Sequence, residues 1–347
     1  MGERKISKDN HYVSQAYLSN WESSPEKVYV YRILVSHENV PIWEEKSIKG
    51  IAYHKHLYTQ QLFGFESDNI EQWFSIEFES PAESSIQKAI SEDRLTPDDW
   101  YKLVRFLAMH DVRTPGRLAE YLKINVESTR ESLEEIIKKL HEKFENIEQS
   151  GVAITADNKI ATFPLKVTAK INEGEEFGTL KVETAVGRAS WLWVIQHLLN
   201  NTAKVLHQHK WTIMRPALGM SWFTTDKPVI RLNYYSPGKY DFKGGWGSNG
   251  SEIFLPLSPE HMLYTRIGHR QPKRGSRFSI EHTSLLRQLI AEHAHRYVFG
   301  KAVDNDVPIY IPRTINAKFY QQEHEQWERW HLDQTESEKY LLSRGIE

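Results

Sequence analysis

Four polar residues of the chain have the types needed for acid–base chemistry on an anionic substrate: His11, Glu77, Arg113 and Asp226. An imidazole can exchange a proton near neutral pH, and a carboxylate can act as its partner or hold a divalent metal. The planar guanidinium of an arginine matches a phosphate or a carboxylate. These types predict a hydrolase, such as a phosphodiesterase or a nuclease. The metal is unknown, and a divalent cation is the candidate cofactor.

Three of the four residues also have a structural interpretation. His11 precedes a short helical pattern that it can cap or pack against, and Arg113 ends a helical pattern, where a cation complements the helix dipole. Asp226 precedes Lys-Pro, a good turn-forming context. Glu71 and Glu77 do not share a face of a regular helix. We prefer Glu77, because its apolar neighbours predict a burial that would raise its pKa.

A second set of residues could form the wall of a polar pocket. The short element that carries His11 also carries Tyr12, Gln15 and Asn20. Tyr53 lies on a later strand candidate. The alternative is that Gln15 and Asn20 only tie down neighbouring backbone groups through hydrogen bonds.

Three pairs of histidines are separated by one residue: His54/His56, His207/His209 and His293/His295. Only a strand places such a pair on one face. The first pair is the one on a strand candidate, but it has no third ligand nearby in sequence. The chain also lacks the GxxxxGK[ST], GxSxG, HExxH and GxGxxG motifs.

The hydrophobic pattern predicts elements that can position these residues. Val13, Tyr17 and Trp21 recur at helical spacing. Thr96-Pro97-Asp98-Asp99 is a helix start. Strands are predicted at 27–35, 48–59, 161–171 and 179–186 and in three later segments, and helices at 189–206 and 284–300. Without a regular βαβ alternation, this order predicts an α+β fold with a mostly antiparallel sheet and a helical region in the middle of the chain.

The organisation along the chain follows from the same pattern. Residues 1–320 are predicted to form a single domain with a helical subregion at 69–150, and residues 321–347 a charged peripheral helix or tail. The apolar stripe at 126–147 is either one side of an antiparallel helix pair or the arm of a homodimer.

Composition excludes several classes of protein. The absence of cysteine rules out disulfides, thiolate zinc sites and cysteine nucleophiles, and it fits a cytoplasmic protein. No apolar stretch is long enough for a membrane span. The net charge of −2 argues against non-specific wrapping of duplex nucleic acid. The segment RIGHRQPKRGSR (266–277) is the one local basic patch, with a solvated loop as its simpler interpretation. Nucleic acid and nucleotides remain candidate partners.

The opening segment HYVSQAYLSNW (11–21), followed by VYVY (28–31), resembles the start of an uncharacterised bacterial and fungal family, the domain of unknown function 4238. That family opens with His-Tyr-Val-Pro-Gln. Similar blocks follow in order: IAYHKHLYT (51–59), a helix with Glu71 and Glu77, RTP (113–115), FTTDKPV (223–229), FLPLSP (254–259) and AEHAHRYVFG (291–300). Departures from the family pattern are Ser14 in place of Pro, and Thr225 and Lys227 in place of Ser and Asn.

The resemblance covers about residues 9–300 and implies one catalytic or binding unit, without naming a reaction. The alternative to a hydrolase is therefore a non-catalytic binding module. Such a module would be a sensor of nucleotides or of a protein, for example in a bacterial defence or toxin system.

Overall fold

A computed structural model of the chain describes residues 6–62, 65–123, 165–171, 178–184 and 186–343. The fold is α+β, with antiparallel sheets and a helical region over residues 69–123. The α-helices are Gln15–Leu18, Asn69–Phe74, Ser80–Ile90, Pro97–Val112, Arg188–Asn200, Ile280–His293, Val307–Tyr310 and Ala317–Ser343, and residues 115–123 are also helical. A π-helical turn, Ser75–Glu79, joins the second and third of these helices.

Two larger sheets carry most of the β-structure, and both are antiparallel. The order of strands in the five-stranded sheet is Thr212–Met214, His261–Arg266, Glu252–Ser258, Ile230–Ser236 and Lys239–Asp241. The order in the four-stranded sheet is Thr224–Thr225, Tyr297–Gly300, Lys27–Arg32 and Trp43–Ser47. Every residue of the strand Glu252–Ser258 is buried, so both faces of the five-stranded sheet are covered at that strand.

Four pairs of short strands complete the sheets. Three are antiparallel and join Asp9–His11 to Tyr53–Lys55, Gln60–Leu62 to Phe65–Ser67, and Leu165–Ile171 to Gly178–Thr184. The fourth is parallel and joins Thr314–Ile315 to Leu34–Val35.

Aromatic side chains make up much of the core. Trp21, Trp191 and Trp222 are almost completely buried. Burying about 150–250 Å² of such a ring contributes about 4–6 kcal/mol by area alone. The predicted start of the helix Pro97–Val112 is confirmed by a capping box, in which Thr96 and Asp99 exchange side-chain and backbone hydrogen bonds.

Two predicted elements are wrong in extent. The strand predicted at 48–59 is limited to Tyr53–Lys55. The helix predicted at 284–300 ends at His293, because the β-branched and aromatic run Tyr297–Gly300 pairs instead with Lys27–Arg32. Gly300 therefore ends a strand. The stripe at 126–147 lies outside the described residues.

The helix Ala317–Ser343, called here the C-terminal helix, packs against the strands Tyr53–Lys55 and Gln60–Leu62. It begins four residues before the predicted domain boundary, and the division into two units stays a prediction. No helix in the described part of the chain has the length and apolar character needed to cross a bilayer.

Candidate functional site

A cleft of about 690 Å³ lies between the C-terminal helix and the rest of the fold. Its floor comes from three segments that are distant in sequence: the strand Tyr53–Lys55, the turn at Asp226 and the stretch from His295 to Tyr297. Its wall is the face of the C-terminal helix that carries Glu323 and Trp327. A cleft of this volume, lined by rings and a few polar groups, has the usual properties of a small-molecule site.

Asp226 is 2% exposed and is held by backbone groups at the edge of this cleft. Its Oδ1 accepts the N–H of His295 at 2.8 Å, and its Oδ2 accepts the N–H of Arg296 at 2.7 Å. Burial raises the pKa of Asp226 to about 6, although the backbone donors oppose the rise. Both oxygens are engaged in fixing the chain before the strand Tyr297–Gly300, so this carboxyl group positions its neighbours.

His54 and His295 both line the cleft, and the charge of one influences the other. Burial lowers the pKa of His54 to about 3 and that of His295 to about 4. Both rings are therefore neutral at physiological pH, and each offers one N–H donor and one nitrogen acceptor. A base whose pKa lies so far below the working pH accepts a proton poorly. The pair is better suited to hydrogen bonding than to proton transfer.

The C-terminal helix supplies side chains that already engage the floor of the cleft. The ring of Trp327 stacks on His54, with 3.7 Å between centroids and 13° between planes. The guanidinium of Arg296 donates to both carboxylate oxygens of Glu323, at distances from 2.6 to 2.9 Å. In the structure, the C-terminal helix thus occupies both the ring of His54 and the fork of Arg296, a cation that holds an anion through two points.

His56, Glu66 and His331 are a possible metal centre by distance, since one ligand atom from each lies within 4.8 Å of the others. The geometry does not fit a metal. The two imidazole rings are stacked at 3.8 Å and 13°, so their in-plane lone pairs run side by side and do not converge. Arg188, a donor only, points a terminal nitrogen at His331 Nδ1 at 3.1 Å. This places the proton on Nε2, which donates to Glu66 at 2.8 Å.

Arg113 belongs to a second polar cluster and is 1% exposed. Its Nε donates to the carbonyl of Tyr12 at 3.1 Å, and a terminal nitrogen donates to Glu79 at 2.6 Å. Its guanidinium lies over the ring of Phe74, 5.4 Å from the centroid. The cation therefore joins the N-terminal segment to the helical region.

His11 and Glu71 lie beside this arginine. Burial raises the pKa of Glu71 to about 8, against the opposing charge of Arg113, and burial lowers the pKa of His11. Within the described residues, Glu71 Oε2 and His11 Nε2 are buried without a hydrogen-bond partner. A buried carboxyl with a pKa near neutrality and an unsatisfied oxygen is a common property of functional sites.

The predicted burial of Glu77 is wrong: its side chain is 49% exposed and pairs with Arg105 at 3.4 Å. Glu77 lies in the π-helical turn Ser75–Glu79, on the exposed side that also carries Ile76. Two regular turns span about seven residues, and a π turn adds about one more. Residues eight apart therefore share a face, which brings Glu71 and Glu79 to the same arginine.

Of the remaining predicted residues, two line the cleft, one lies beside the polar cluster and one belongs to neither. Tyr12 and Tyr53 line the cleft together with Asp226. Gln15 contacts the ring of His11 at 3.3 Å. Asn20 accepts a hydrogen bond from Gln87 at 3.3 Å and does not line the cleft. Two groups thus form, with His11 and Arg113 in the polar cluster and three other predicted residues in the cleft.

Sequence reasoning missed His54, His295 and Arg296 as cleft residues. His54 was considered only as a metal ligand. The stretch containing His295 was predicted to be helical. In a helix, His293 and His295 would point to different sides. The available signal was the family-like block AEHAHRYVFG, whose polar residues stand directly before a strand.

The comparisons with known proteins agree with the resemblance of the blocks. The model of a family described as protein of unknown function (DUF4238) matches residues 9–304. Neither a curated protein nor a solved structure matches the chain. The match includes the floor of the cleft and the polar cluster, whereas the C-terminal helix lies beyond it. Because the match covers most of the length of the chain, the chain belongs to the DUF4238 family.

Proposed function

We propose that the chain is a binding protein whose cleft takes a small anionic ligand with a planar ring, of the nucleotide class. The observation that carries the proposal is the meeting of His54 and Arg296 on the floor of one cleft of about 690 Å³. The ring of His54 matches a base at one end of a ligand, and the guanidinium of Arg296 matches a phosphate at its other end.

The chemistry of the floor supports this ligand class. The fork of Arg296 holds the carboxylate of Glu323 through two points, and a phosphate that takes the place of this carboxylate has the same geometry. The neutral rings of His54 and His295 offer donors and acceptors that match the polar edge of a base. Tyr53 and Trp327 add aromatic surface.

Binding is favoured over hydrolysis at this cleft by the protonation of its groups. The imidazoles have pKa values of about 3 and about 4, well below those of effective general bases. The carboxylate of Asp226 is engaged by backbone N–H groups.

Titration with purine and pyrimidine mononucleotides, followed by calorimetry and by the change in Trp fluorescence, tests the proposal. We expect at least one nucleotide to bind, and the variant Arg296→Ala to bind it at least tenfold more weakly, since about 1.4 kcal/mol of a charge-assisted contact is lost. Lys239→Ala, at an exposed position of another strand, is the control. Binding of no nucleotide by the folded protein would contradict the proposal.

A phosphoester hydrolase is the second candidate, and the pair Glu71 and His11 is the observation that favours it. Only this carboxyl has a pKa near 8 among the described residues. The test is hydrolysis of a chromogenic phosphodiester with and without added divalent cations. We expect Glu71→Gln to lose the activity and Glu77→Gln, an identical change on the same helical segment, to keep it. Equal activity in both variants would contradict this candidate function.

A further inference from the structure

A second groove, of about 540 Å³, lies apart from the cleft. Three segments form it: the start of the helix Pro97–Val112, the stretch from His207 to Trp211 and the basic loop 266–277. Among the described residues that line it, none is acidic. The basic loop, which the cleft does not use, thus contributes to a concave surface.

The cations of this groove are available for a ligand. Lys210 and Arg270 line it and are exposed, and neither forms an ion pair with another described residue. Gln271 fixes the turn that carries Arg270, because its amide donates to the carbonyls of Arg266 and His269 at 2.8 and 2.9 Å. The loop 266–277 contains five arginine and lysine residues and no acid.

Aromatic rings lie next to these cations. Tyr101 is 46% exposed and stacks on His207, with 4.4 Å between centroids. Trp211 is held by a hydrogen bond from its Nε1 to the carbonyl of Leu206 at 2.9 Å, and Trp100 is half-buried beside it. These rings are anchored to the core and need little reordering when a ligand stacks on them.

We propose that this groove binds single-stranded nucleic acid. Unpaired bases can stack on the aromatic rings while phosphates contact Lys210 and Arg270, which is the combination used by proteins that bind single strands. A duplex hides the faces of its bases and would use only the cations. With a net charge of −2, the rest of the chain gives little general attraction for polyanions, so the binding depends on this local surface.

Fluorescence anisotropy of labelled oligothymidine and oligouridine, with the full chain at low salt, tests the proposal. We expect binding of at least one oligonucleotide, and a loss of about tenfold or more in Tyr101→Ala, from the contribution of one stacked base. The double variant Lys210→Glu/Arg270→Glu should bind more weakly still, with a smaller salt dependence. Lys239→Glu, the same charge change at an exposed site elsewhere, should bind like the wild type.

Several outcomes would overturn the proposal. The folded wild type could give no anisotropy change, the groove variants could bind as tightly as the wild type, or duplex DNA could compete as well as the single strand. Unchanged circular dichroism and thermal midpoints of the variants exclude misfolding. Arg296→Ala, in the cleft, should leave oligonucleotide binding unchanged, so failure of the groove and failure of the cleft proposal are separable.

Discussion

Arg188 and Glu338 form a buried ion pair in which both carboxylate oxygens accept hydrogen bonds from the guanidinium, each at 2.8 Å. Arg188 is 0% exposed and lies within the family-matched region, whereas Glu338 lies on the C-terminal helix. The pair therefore fastens the C-terminal helix to the region that forms the floor of the cleft.

Removing one partner should destabilise the protein strongly. We expect Glu338→Ala to lower the free energy of unfolding by about 3–5 kcal/mol, because it leaves the arginine as an unpaired buried charge. Urea denaturation measures the change, with Glu336→Ala, an exposed position on the same helix, as the control. An equal effect of both substitutions would contradict a specific role for the pair.

Asp226→Asn should also cost stability, for a geometric reason. The carboxylate accepts two backbone N–H groups through separate oxygens, and an amide can replace only one of these acceptors. We expect a loss of about 1.5–3 kcal/mol, the usual contribution of a hydrogen bond to a charged group. Hydrogen exchange of the amides of His295 and Arg296 would locate the effect. Exchange rates that stay at the wild-type level would refute it.

Glu71 should make the stability of the protein depend on pH in an unusual direction. The pKa of its carboxyl is raised to about 8 in the folded state, against about 4.3 in an unfolded chain. The stability that it contributes is fully present below about pH 4 and is lost as the pH rises towards about 8.

Glu71→Gln removes this dependence, so the variant should gain stability relative to the wild type at about pH 8 and gain little at about pH 5. Denaturation curves at the two pH values measure the difference. Glu77→Gln, which changes an exposed carboxyl, should show no such difference. A parallel pH dependence in the wild type and Glu71→Gln would rule out the raised pKa.

The two cleft histidines should remain neutral throughout the physiological range. Their pKa values are lowered to about 3 and about 4, below the ordinary value of about 6.5. Because an unfolded chain takes up these protons first, the stability that they contribute is present above about pH 6.5 and is lost as the pH falls towards 3–4. Nitrogen chemical shifts of labelled histidine should show both rings neutral at about pH 6. A charged ring at that pH would be the contrary result.

Local patterns predicted much of the fold, because the relevant interactions join residues close in sequence. The capping box of Thr96 and Asp99 is an example, since both partners lie within one helical turn. The buried stripe of Val13, Tyr17 and Trp21 is another. The mostly antiparallel character of the sheets followed from the order of the strands.

The functional geometry was harder to predict, because it depends on contacts across the whole chain. Nothing near His54 in sequence indicates that Trp327 stacks on it or that His295 shares its cleft. The choice of Glu77 failed for a local reason: its apolar neighbours in sequence were taken to bury it, but Ile76 beside it is itself 65% exposed.

The π-helical turn has a consequence for the comparison of related sequences. Glu71 and Glu79 share a face because the π-helical turn adds one residue to the helix. A relative that lacks this residue would have a regular helix, with the equivalent side chains seven positions apart. An alignment of such a relative needs a single gap inside this helix, where gaps are normally penalised. Without that gap, every position after it would be matched to the wrong side of the helix.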